Sequence, residues 1–233
     1  MKVLVSDYDQ TLYTSDEDIK NNIEIIKEFM KSGNKFILAT GRSYLDLKKV
    51  FDKYNFKCDY ILLNHGSTII DNNNNVISNT FINNEIIKYL KEDLLLDKSI
   101  RNFCCSSLES RVSFEYKNIS KINIKYKTKE EANKIVKTIL DKYSNFVNAY
   151  QVSDSTVEII SNEINKAKGI QILSNILNIK KEDIYTIGDG YSDIEMVKSY
   201  NGYCMKNSID ELKEVALKQY DSVYELVNEL NKE

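Results

Sequence analysis

The sequence predicts an α/β protein in which a parallel sheet carries helices on both faces and is interrupted by a small α+β insert. Two observations predict this architecture. Short apolar strands alternate with amphipathic helices up to residue 63 and again after residue 162, whereas most strand candidates between about 83 and 160 alternate polar with apolar residues. The first pattern requires crossover connections and gives parallel strands. The second is typical of an antiparallel sheet with one covered face.

The first part of the chain contains three strand candidates, at residues 3–5, 36–39 and 60–63. Apolar residues recur at helical spacing between them, over 19–30 and over 44–54. In parallel sheets with this order of elements, ligands bind beyond the carboxyl ends of the strands. We therefore expect the residues that follow these strands to share one site.

The insert is predicted to occupy residues 81–161, between core segments 1–80 and 162–233. A polar turn at 71–75 joins two short strands, 67–70 and 76–78, just before the insert. After the insert a helix is marked by Ile170, Leu173 and Leu177, and a strand follows at 184–187. Within the insert we predict helices at 85–96 and 128–143 and strands at 111–116, 121–126, 146–151 and 156–160.

Composition excludes some classes of function. The chain has 32 basic and 35 acidic residues and a formal net charge of −3, which argues against nucleic-acid binding. No apolar stretch approaches the roughly 18 residues needed to cross a membrane. Asp7 comes too early for the apolar region of a signal peptide. We expect a cytoplasmic protein with no membrane partner, whose four cysteines are reduced thiols.

Asp7 and Asp9 directly follow the first apolar strand. Two carboxylates in this position can project from a tight turn into one cavity, where a nearby cation would keep one ionised while the other holds a proton. Calcium loops and ordinary turns also contain Asp-x-Asp. A calcium loop would need a glutamate at its twelfth position, where Asp18 stands instead.

A second acidic turn, Gly188–Asp193, follows the strand at 184–187. Asp189 and Asp193 are four residues apart, so they face the same direction if this segment begins a helix. Such oxygen ligands suit Mg²⁺. An acidic helix start that is favoured only by the helix dipole would show the same residues.

Three further features are ambiguous when taken singly. Thr40-Gly41-Arg42 offers a hydroxyl and backbone N–H groups that could hold a phosphate, or it could form a plain helix cap. Lys168, before Gly169, could neutralise a phosphate or lie in solvent. His65 is the only histidine, and we expect it to have a positioning or surface role.

The order of four motifs resembles that of the haloacid dehalogenase superfamily of phosphohydrolases: Asp-x-Asp-x-Thr (7–11), Thr-Gly-Arg (40–42), Lys-Gly (168–169) and Gly-Asp-x-x-x-Asp (188–193). Segments 64–67, 187–190 and 205–207 look most like those of its Cof-type phosphatases. The resemblance implies a Rossmann-like parallel-sheet core and, in the insert, a cap domain of the C2 type, B subclass. Gln10 and Ser192 depart from the family pattern, which usually has Gly and Asn there.

The resemblance also implies the role of each motif residue. Asp7 would be the nucleophile, and Asp9 the general acid and base. Mg²⁺ would be bound by Asp7, Asp9 (through its backbone carbonyl), Asp189 and Asp193. Contacts to the substrate would come from Thr40, Gly41, Arg42, Lys168, Ser192 and Asn207. Thr40 would donate a hydrogen bond to the transferring phosphoryl group, and Lys168 would neutralise its charge. Lys166 is a near neighbour that could take the role of Lys168.

The leading hypothesis is therefore a Mg²⁺-dependent phosphatase for small phosphorylated metabolites such as sugar phosphates, pyridoxal phosphate or flavin and nucleotide monophosphates. A phosphotransferase or mutase on the same fold is the nearer alternative, and a non-catalytic protein that binds phosphorylated metabolites is the other. The resemblance implies that specificity is set by the insert surface that faces the core and by the core loops. The candidate residues of the insert, Arg101, Arg111 and Glu115, could equally lie on a solvated face.

Overall fold

The computed structural model describes residues 1–96, 100–108 and 110–232, and these residues form two sheets with eight α-helices. The first segment contains β1 (Val3–Ser6), α1 (Asp16–Lys31), β2 (Lys35–Ala39), α2 (Tyr44–Tyr54), β3 (Tyr60–Leu63), β4 (Thr68–Asp71) and β5 (Val76–Asn79). The middle segment contains α3 (Asn84–Leu96), β6 (Ile100–Ser107), β7 (Ser110–Val112), β8 (Lys121–Tyr126), α4 (Lys129–Tyr143), β9 (Val147–Ser153) and β10 (Thr156–Ser161). The last segment contains α5 (Lys166–Leu177), β11 (Ile184–Gly188), α6 (Ile194–Ser199), β12 (Asn201–Met205), α7 (Asp210–Lys213), β13 (Gln219–Tyr220) and α8 (Val223–Leu230).

The larger sheet has the strand order β13-β12-β11-β1-β2-β3-β4-β5. Pairing is parallel from β13 to β3 and antiparallel from β3 to β5. Strand β1 is central, and its Val5 lies opposite Thr186 on one side and Ile37 on the other. The predicted parallel sheet is confirmed, and its central strand delivers Asp7 to the carboxyl edge.

Alternating side chains of β1 reach different apolar clusters on the two faces of this sheet. Leu4 packs with Ile19 and Ile26 of α1, whereas Val3 belongs to the cluster that contains Leu173 of α5. These side chains are almost fully buried. Burial on both faces explains why β1, β2 and β3 appear as nearly continuous apolar runs in the sequence.

The second sheet, with the order β7-β6-β8-β10-β9, is antiparallel and belongs to the middle segment. The strand predicted over 111–116 is wrong, because β7 ends at Val112 and the chain then turns, with Tyr116 N–H donating to the Ser113 carbonyl. Strand β6 was not predicted. Its sequence mixes polar residues with two cysteines, and it becomes a strand by pairing with β8.

The chain leaves the larger sheet after Asn79 and returns to it after Ser161, where β10 ends and the connection to α5 begins. The residues between these points, with their own apolar cluster around Ile122 and Ile159, are called the insert unit below. The segments before and after it, which form the larger sheet and its helices, are called the parallel-sheet unit. Among the described residues, no helix is both long and apolar enough to cross a bilayer.

Candidate active site

Four loops converge at the carboxyl edge of the parallel sheet. Asp7 follows β1, Thr40 follows β2, Asp189 follows β11 and Asn207 follows β12. The Asp7 amide continues the sheet pattern by donating to the Ile187 carbonyl at 2.9 Å. Strand order alone therefore brings residues from distant parts of the sequence to one edge.

Three carboxylates form a cluster at this edge. Oxygen atoms of Asp7, Asp189 and Asp193 lie within 4.8 Å of one another. The Asp193 carboxylate accepts hydrogen bonds from the backbone N–H groups of Asp189 and Gly190, at 3.1 and 3.0 Å. Thr11 fixes Asp189 by donating its hydroxyl to Oδ1 at 2.7 Å. Hydrogen bonds from within the second acidic motif and from Thr11 of the first thus hold Asp189 and Asp193 in place.

Lys166 is the lysine of this cluster. Its Nζ lies 2.5 Å from Asp7 Oδ1 and 2.6 Å from Asp193 Oδ1, and its side chain is 1% exposed. Asn165 caps α5, so Lys166 occupies the first helical position and points toward the strand ends. This ammonium group is the positive charge beside the predicted nucleophile.

The preference for Lys168 over Lys166 is corrected by this placement. Lys168 is exposed, and its Nζ donates to the Asn162 carbonyl at 2.9 Å. Residues two apart on a helix point in nearly opposite directions. The sequence contained the necessary signal, because Lys166, Ile170 and Leu173 follow helical spacing along the buried face of α5.

Electrostatics at the cluster are unbalanced, because three carboxylates face one ammonium group. Burial raises the pKa of Asp7 well above its usual range, and Lys166 offsets part of that effect. Burial and then the Asp193 charge raise the pKa of Asp189 to about 6. Burial opposes the charge on Lys166, but Asp193 and Asp7 outweigh it and raise the pKa of the lysine.

The donor set fits Mg²⁺. The three side chains offer carboxylate oxygens at close range, and oxygen is the ligand atom that this hard cation prefers. Burial, together with the neighbouring carboxylates, raises the pKa values of Asp7 and Asp189, and a bound cation would favour their ionised forms. Asp7, Asp189 and Asp193 are therefore the side chains that would hold the ion.

Asp9 lies outside this side-chain cluster, on the wall of the same cavity. Its carboxylate receives two hydrogen bonds from Arg42, at 2.9 Å from Nε and 2.6 Å from Nη2. The Arg42 guanidinium in turn lies over the Tyr8 ring, 4.6 Å from its centroid. Arg42 thus holds Asp9 in one orientation beside the predicted nucleophile.

The turn after β2, predicted from the sequence to hold a phosphate, is tightly packed. Thr40 is fully buried, and its Oγ1 accepts a hydrogen bond from the Arg42 amide at 3.1 Å. Gly41 is closely surrounded: a Cβ atom there would come within 2.7 Å of the His65 ring. Residues 40–42 are called the phosphate turn below.

The remaining predicted residues also lie near this site. Gln10, which replaces the usual glycine, adopts a left-handed conformation with φ of 61°. Its carbonyl accepts a hydrogen bond from Asn207 Nδ2 at 3.3 Å, and Ser192 lines the same cavity. The turn after Asp9 therefore keeps a conformation that favours glycine, at the cost of some strain.

A cavity of about 860 Å³ lies over the carboxylates and has walls from both units. Of the candidate residues in the insert unit, Arg111 lines the cavity and pairs with Asp46 at 3.3 Å. Arg101 is exposed, and Glu115 pairs with Lys91 at the surface. Neither of these two is among the residues that line the cavity.

Sequence reasoning missed a second buried polar cluster beside the phosphate turn. His65 is 2% exposed, so a surface role is wrong for it, and it contacts Glu158 of β10. Glu158 also receives hydrogen bonds from Lys121 and Asn123 of β8. The available signal was a single acidic residue among the buried apolar residues of β10.

The profile of a family described as haloacid dehalogenase-like hydrolase matches residues 4–115 and 106–226. A protein of Buchnera aphidicola subsp. Schizaphis graminum, provisionally named a phosphatase, is 29% identical over 91% of this chain and 86% of its own length. The 5-amino-6-(5-phospho-D-ribitylamino)uracil phosphatase of Bacillus subtilis is 24% identical over 93% of this chain and 88% of its own.

The fold has a close counterpart among solved structures. A haloacid dehalogenase-like hydrolase of B. subtilis superimposes with a TM-score of 0.88, covering 99% of this chain and 100% of that protein. The two sequences are 15% identical, so this similarity bears on the fold. It agrees with the mixed α/β architecture and its parallel sheet.

Proposed function

Because the chain belongs to the haloacid dehalogenase-like hydrolases and is a phosphoric monoester hydrolase, we propose that it is a Mg²⁺-dependent phosphatase for small phosphorylated metabolites. The observation that carries this proposal is the convergence of Asp7, Lys166 and two further carboxylates at one edge of the sheet. The phosphate turn follows the neighbouring strand, β2.

In this proposal Asp7 attacks the phosphorus atom. A bond forms between an Asp7 carboxylate oxygen and phosphorus while the ester P–O bond breaks, which divides a difficult hydrolysis into two easier steps. Water then attacks phosphorus, and inorganic phosphate leaves as the Asp7 carboxylate is restored. The buried position of Asp7 at the end of β1 holds the nucleophile in a fixed place, which reduces the entropic part of the barrier.

Positive charge and hydrogen-bond donors stabilise the phosphoryl group. Lys166 stays charged between Asp7 and Asp193, and the phosphate turn would supply the Thr40 hydroxyl as a hydrogen-bond donor. Bound Mg²⁺ would supply further positive charge to the phosphoryl oxygens. Together these groups reduce the repulsion between the Asp7 carboxylate and an anionic ester.

Asp9 is the proposed general acid and base. It would give a proton to the oxygen of the leaving alcohol and later accept one from the attacking water. Its place on the cavity wall, two residues after Asp7, suits both steps. Arg42 fixes the orientation of the Asp9 carboxylate through its two hydrogen bonds.

The cavity supports a polar substrate of metabolite size. Its volume of about 860 Å³ lies in the upper part of the range for small-molecule sites. Charged and amide side chains predominate in its walls, including Arg111, Lys121 and Asn123 of the insert unit. We propose phosphorylated sugars, sugar alcohols, pyridoxal phosphate and flavin or nucleotide monophosphates as candidates, since a curated relative acts on a phosphorylated ribityl compound.

The test is phosphate release from a panel of these esters and a generic aryl phosphate, with Mg²⁺ and with EDTA. We expect release that requires Mg²⁺, and a rank order that identifies the substrate class. Asp7→Asn should lose this release. The control for that variant is Asp221→Asn, which replaces a carboxylate of an exposed ion pair with Lys206. Isomerisation of a substrate without net phosphate release would instead identify a mutase.

A further inference from the structure

A buried ionic cluster joins the insert unit to the phosphate turn. Its members are Glu158 and Lys121, which are 6% and 5% exposed, and His65 at 2%. Glu158 Oε2 lies 2.5 Å from His65 Nε2, and Glu158 Oε1 lies 2.5 Å from Lys121 Nζ. Asn123 Nδ2 donates to Glu158 Oε1 at 2.9 Å. One carboxylate is therefore shared by three hydrogen-bonding groups.

Strand pairing in the insert unit creates this arrangement. Glu158 of β10 lies directly opposite Asn123 of β8, and Lys121 is two residues before Asn123 on the same face. The intervening residues Ile122 and Ile159 point the other way, into the apolar cluster of the insert unit. The polar face of this sheet is thus the face that meets the parallel-sheet unit.

Two contacts reach the phosphate turn itself. Lys121 Nζ donates a hydrogen bond to the Gly41 carbonyl. A Cβ atom on Gly41 would come within 2.8 Å of Glu158 Oε2 and 2.7 Å of the His65 ring. The cluster therefore packs directly against Gly41, with no space for a side chain at that position.

The Gly41 carbonyl belongs to the peptide group whose N–H is that of Arg42. Because a peptide group is planar, fixing the carbonyl also fixes the direction of this N–H group. The Arg42 N–H donates to Thr40 Oγ1, the hydroxyl proposed to bind the phosphoryl group. Lys121 of the insert unit is therefore connected to Thr40 through one rigid peptide group.

We infer that Lys121 and Glu158 are positioning residues that complete the phosphate turn from the insert side. Glu158 orients Lys121 and His65, and Lys121 holds the Gly41–Arg42 peptide group. The inference rests on the proposed function of the phosphate turn. It predicts that the turn has its working geometry only while the insert unit lies against the parallel-sheet unit.

The first experiment compares Lys121→Met, Glu158→Gln and the double variant with wild type on several phosphate esters. Each single variant removes one charge of the buried Lys121–Glu158 pair and can lose stability, whereas the double variant removes both charges together. We expect the double variant to be as stable as wild type yet to have a lower kcat/KM. A misplaced turn should cost roughly 100-fold, and the loss should be similar for every ester because they share the phosphate.

The matched control is Lys142→Met/Asp93→Asn, which also removes one lysine and one carboxylate from the insert unit. Lys142 and Asp93 form an ion pair whose side chains are 53% and 40% exposed, and neither residue lines the cavity. This control should keep kcat/KM within about twofold of wild type. Full activity of folded Lys121→Met/Glu158→Gln would overturn the inference. A loss confined to some esters would also overturn it, since that result indicates direct contact with the leaving group.

A second readout does not depend on turnover. Hydrogen exchange of the Arg42 amide should be faster in Lys121→Met/Glu158→Gln than in wild type and unchanged in Lys142→Met/Asp93→Asn. Equal exchange in wild type and Lys121→Met/Glu158→Gln would contradict positioning, whether or not the protein releases phosphate. Absence of phosphate release from wild type, together with faster exchange in Lys121→Met/Glu158→Gln, would contradict only the proposed function.

Discussion

Two buried ionic clusters lie side by side in this protein, and their charge balance differs. At the carboxyl edge, Lys166 faces the carboxylates of Asp7, Asp189 and Asp193. In the cluster between the two units, the single carboxylate of Glu158 is shared by Lys121, His65 and Asn123. Burial raises the pKa of Asp7 and Asp189 in the first cluster. In the second, burial opposes ionisation of Glu158, but Lys121 and His65 outweigh it and lower the pKa of the carboxyl.

This difference in charge balance indicates that the two clusters have different functions. A cluster with too many carboxylates is prepared to accept further positive charge, such as a cation. A cluster whose one carboxylate is shared by three hydrogen-bonding groups has no excess of negative charge and is suited to fixing its neighbours. Substitutions in the first cluster should therefore change turnover and the stabilisation of the fold by Mg²⁺. Substitutions in the second should change the geometry of the phosphate turn and the pH dependence of the free energy of unfolding.

The largest expected difference is between the two lysines near the start of α5. Lys166→Met should lower kcat/KM by about 10²- to 10³-fold, because it removes the charge proposed to stabilise the transferring phosphoryl group. Lys168→Met should leave kcat/KM within about twofold of wild type, because Lys168 lies in solvent. Steady-state kinetics on the best ester of the panel measures kcat/KM for both variants. Equal losses in both variants would refute the assignment of Lys166.

Mg²⁺ should stabilise the folded protein through the first cluster alone. At a concentration 100 times its Kd, the ion should raise the free energy of unfolding by about 2.7 kcal/mol. Urea unfolding with and without Mg²⁺ measures this increase. Asp189→Asn should remove most of it, whereas Lys121→Met/Glu158→Gln should retain it. A response to Mg²⁺ that survives Asp189→Asn would place the ion elsewhere.

The smallest expected effect concerns His65. Burial lowers its pKa despite the adjacent Glu158 carboxylate, so the folded protein resists protonation of this ring while the unfolded chain does not. The resulting stability is present above the unfolded pKa of about 6.5 and is lost as the pH falls below it, by at most about 1.4 kcal/mol per pH unit.

His65→Gln should therefore flatten the decline in the free energy of unfolding between pH 7 and pH 5. The glutamine amide can still donate to Glu158, and His65 is the only histidine in the chain. The raised pKa values of Asp7 and Asp189 act with the opposite sign, but they are common to both proteins and cancel in the difference. The measurement is the free energy of unfolding against pH for wild type and His65→Gln, both in EDTA. Parallel curves would show that the pKa of His65 is the same in the folded and unfolded protein.

Much of this architecture follows from local patterns. Strands β1, β3 and β11 were predictable because a short continuous apolar run is typical of a strand that is buried on both faces. Asp7 and Asp189 directly follow two of these strands. Their proximity was predictable because the carboxyl ends of parallel strands share one edge. Lys166 was also accessible from the sequence, through the helical spacing of the buried residues of α5.

Other features depended on contacts between distant segments. The cluster of Glu158, Lys121 and His65 requires the register between β8 and β10 and the packing of one unit on the other. Neither is encoded in a short motif. Strand β6 was missed for a similar reason, because its polar residues are stabilised in a strand by pairing with β8 rather than by an apolar pattern.

Trapping of the covalent intermediate tests the central claim most directly. Wild type would be quenched during turnover with Mg²⁺ and a good ester substrate, reduced with borohydride, and digested for mass spectrometry. An aspartyl phosphate at Asp7 should be recovered as homoserine at position 7. Asp7→Asn should show neither this product nor phosphate release while remaining folded. Phosphate release by folded Asp7→Asn, or reduction at a different aspartate in wild type, would contradict Asp7 as the nucleophile.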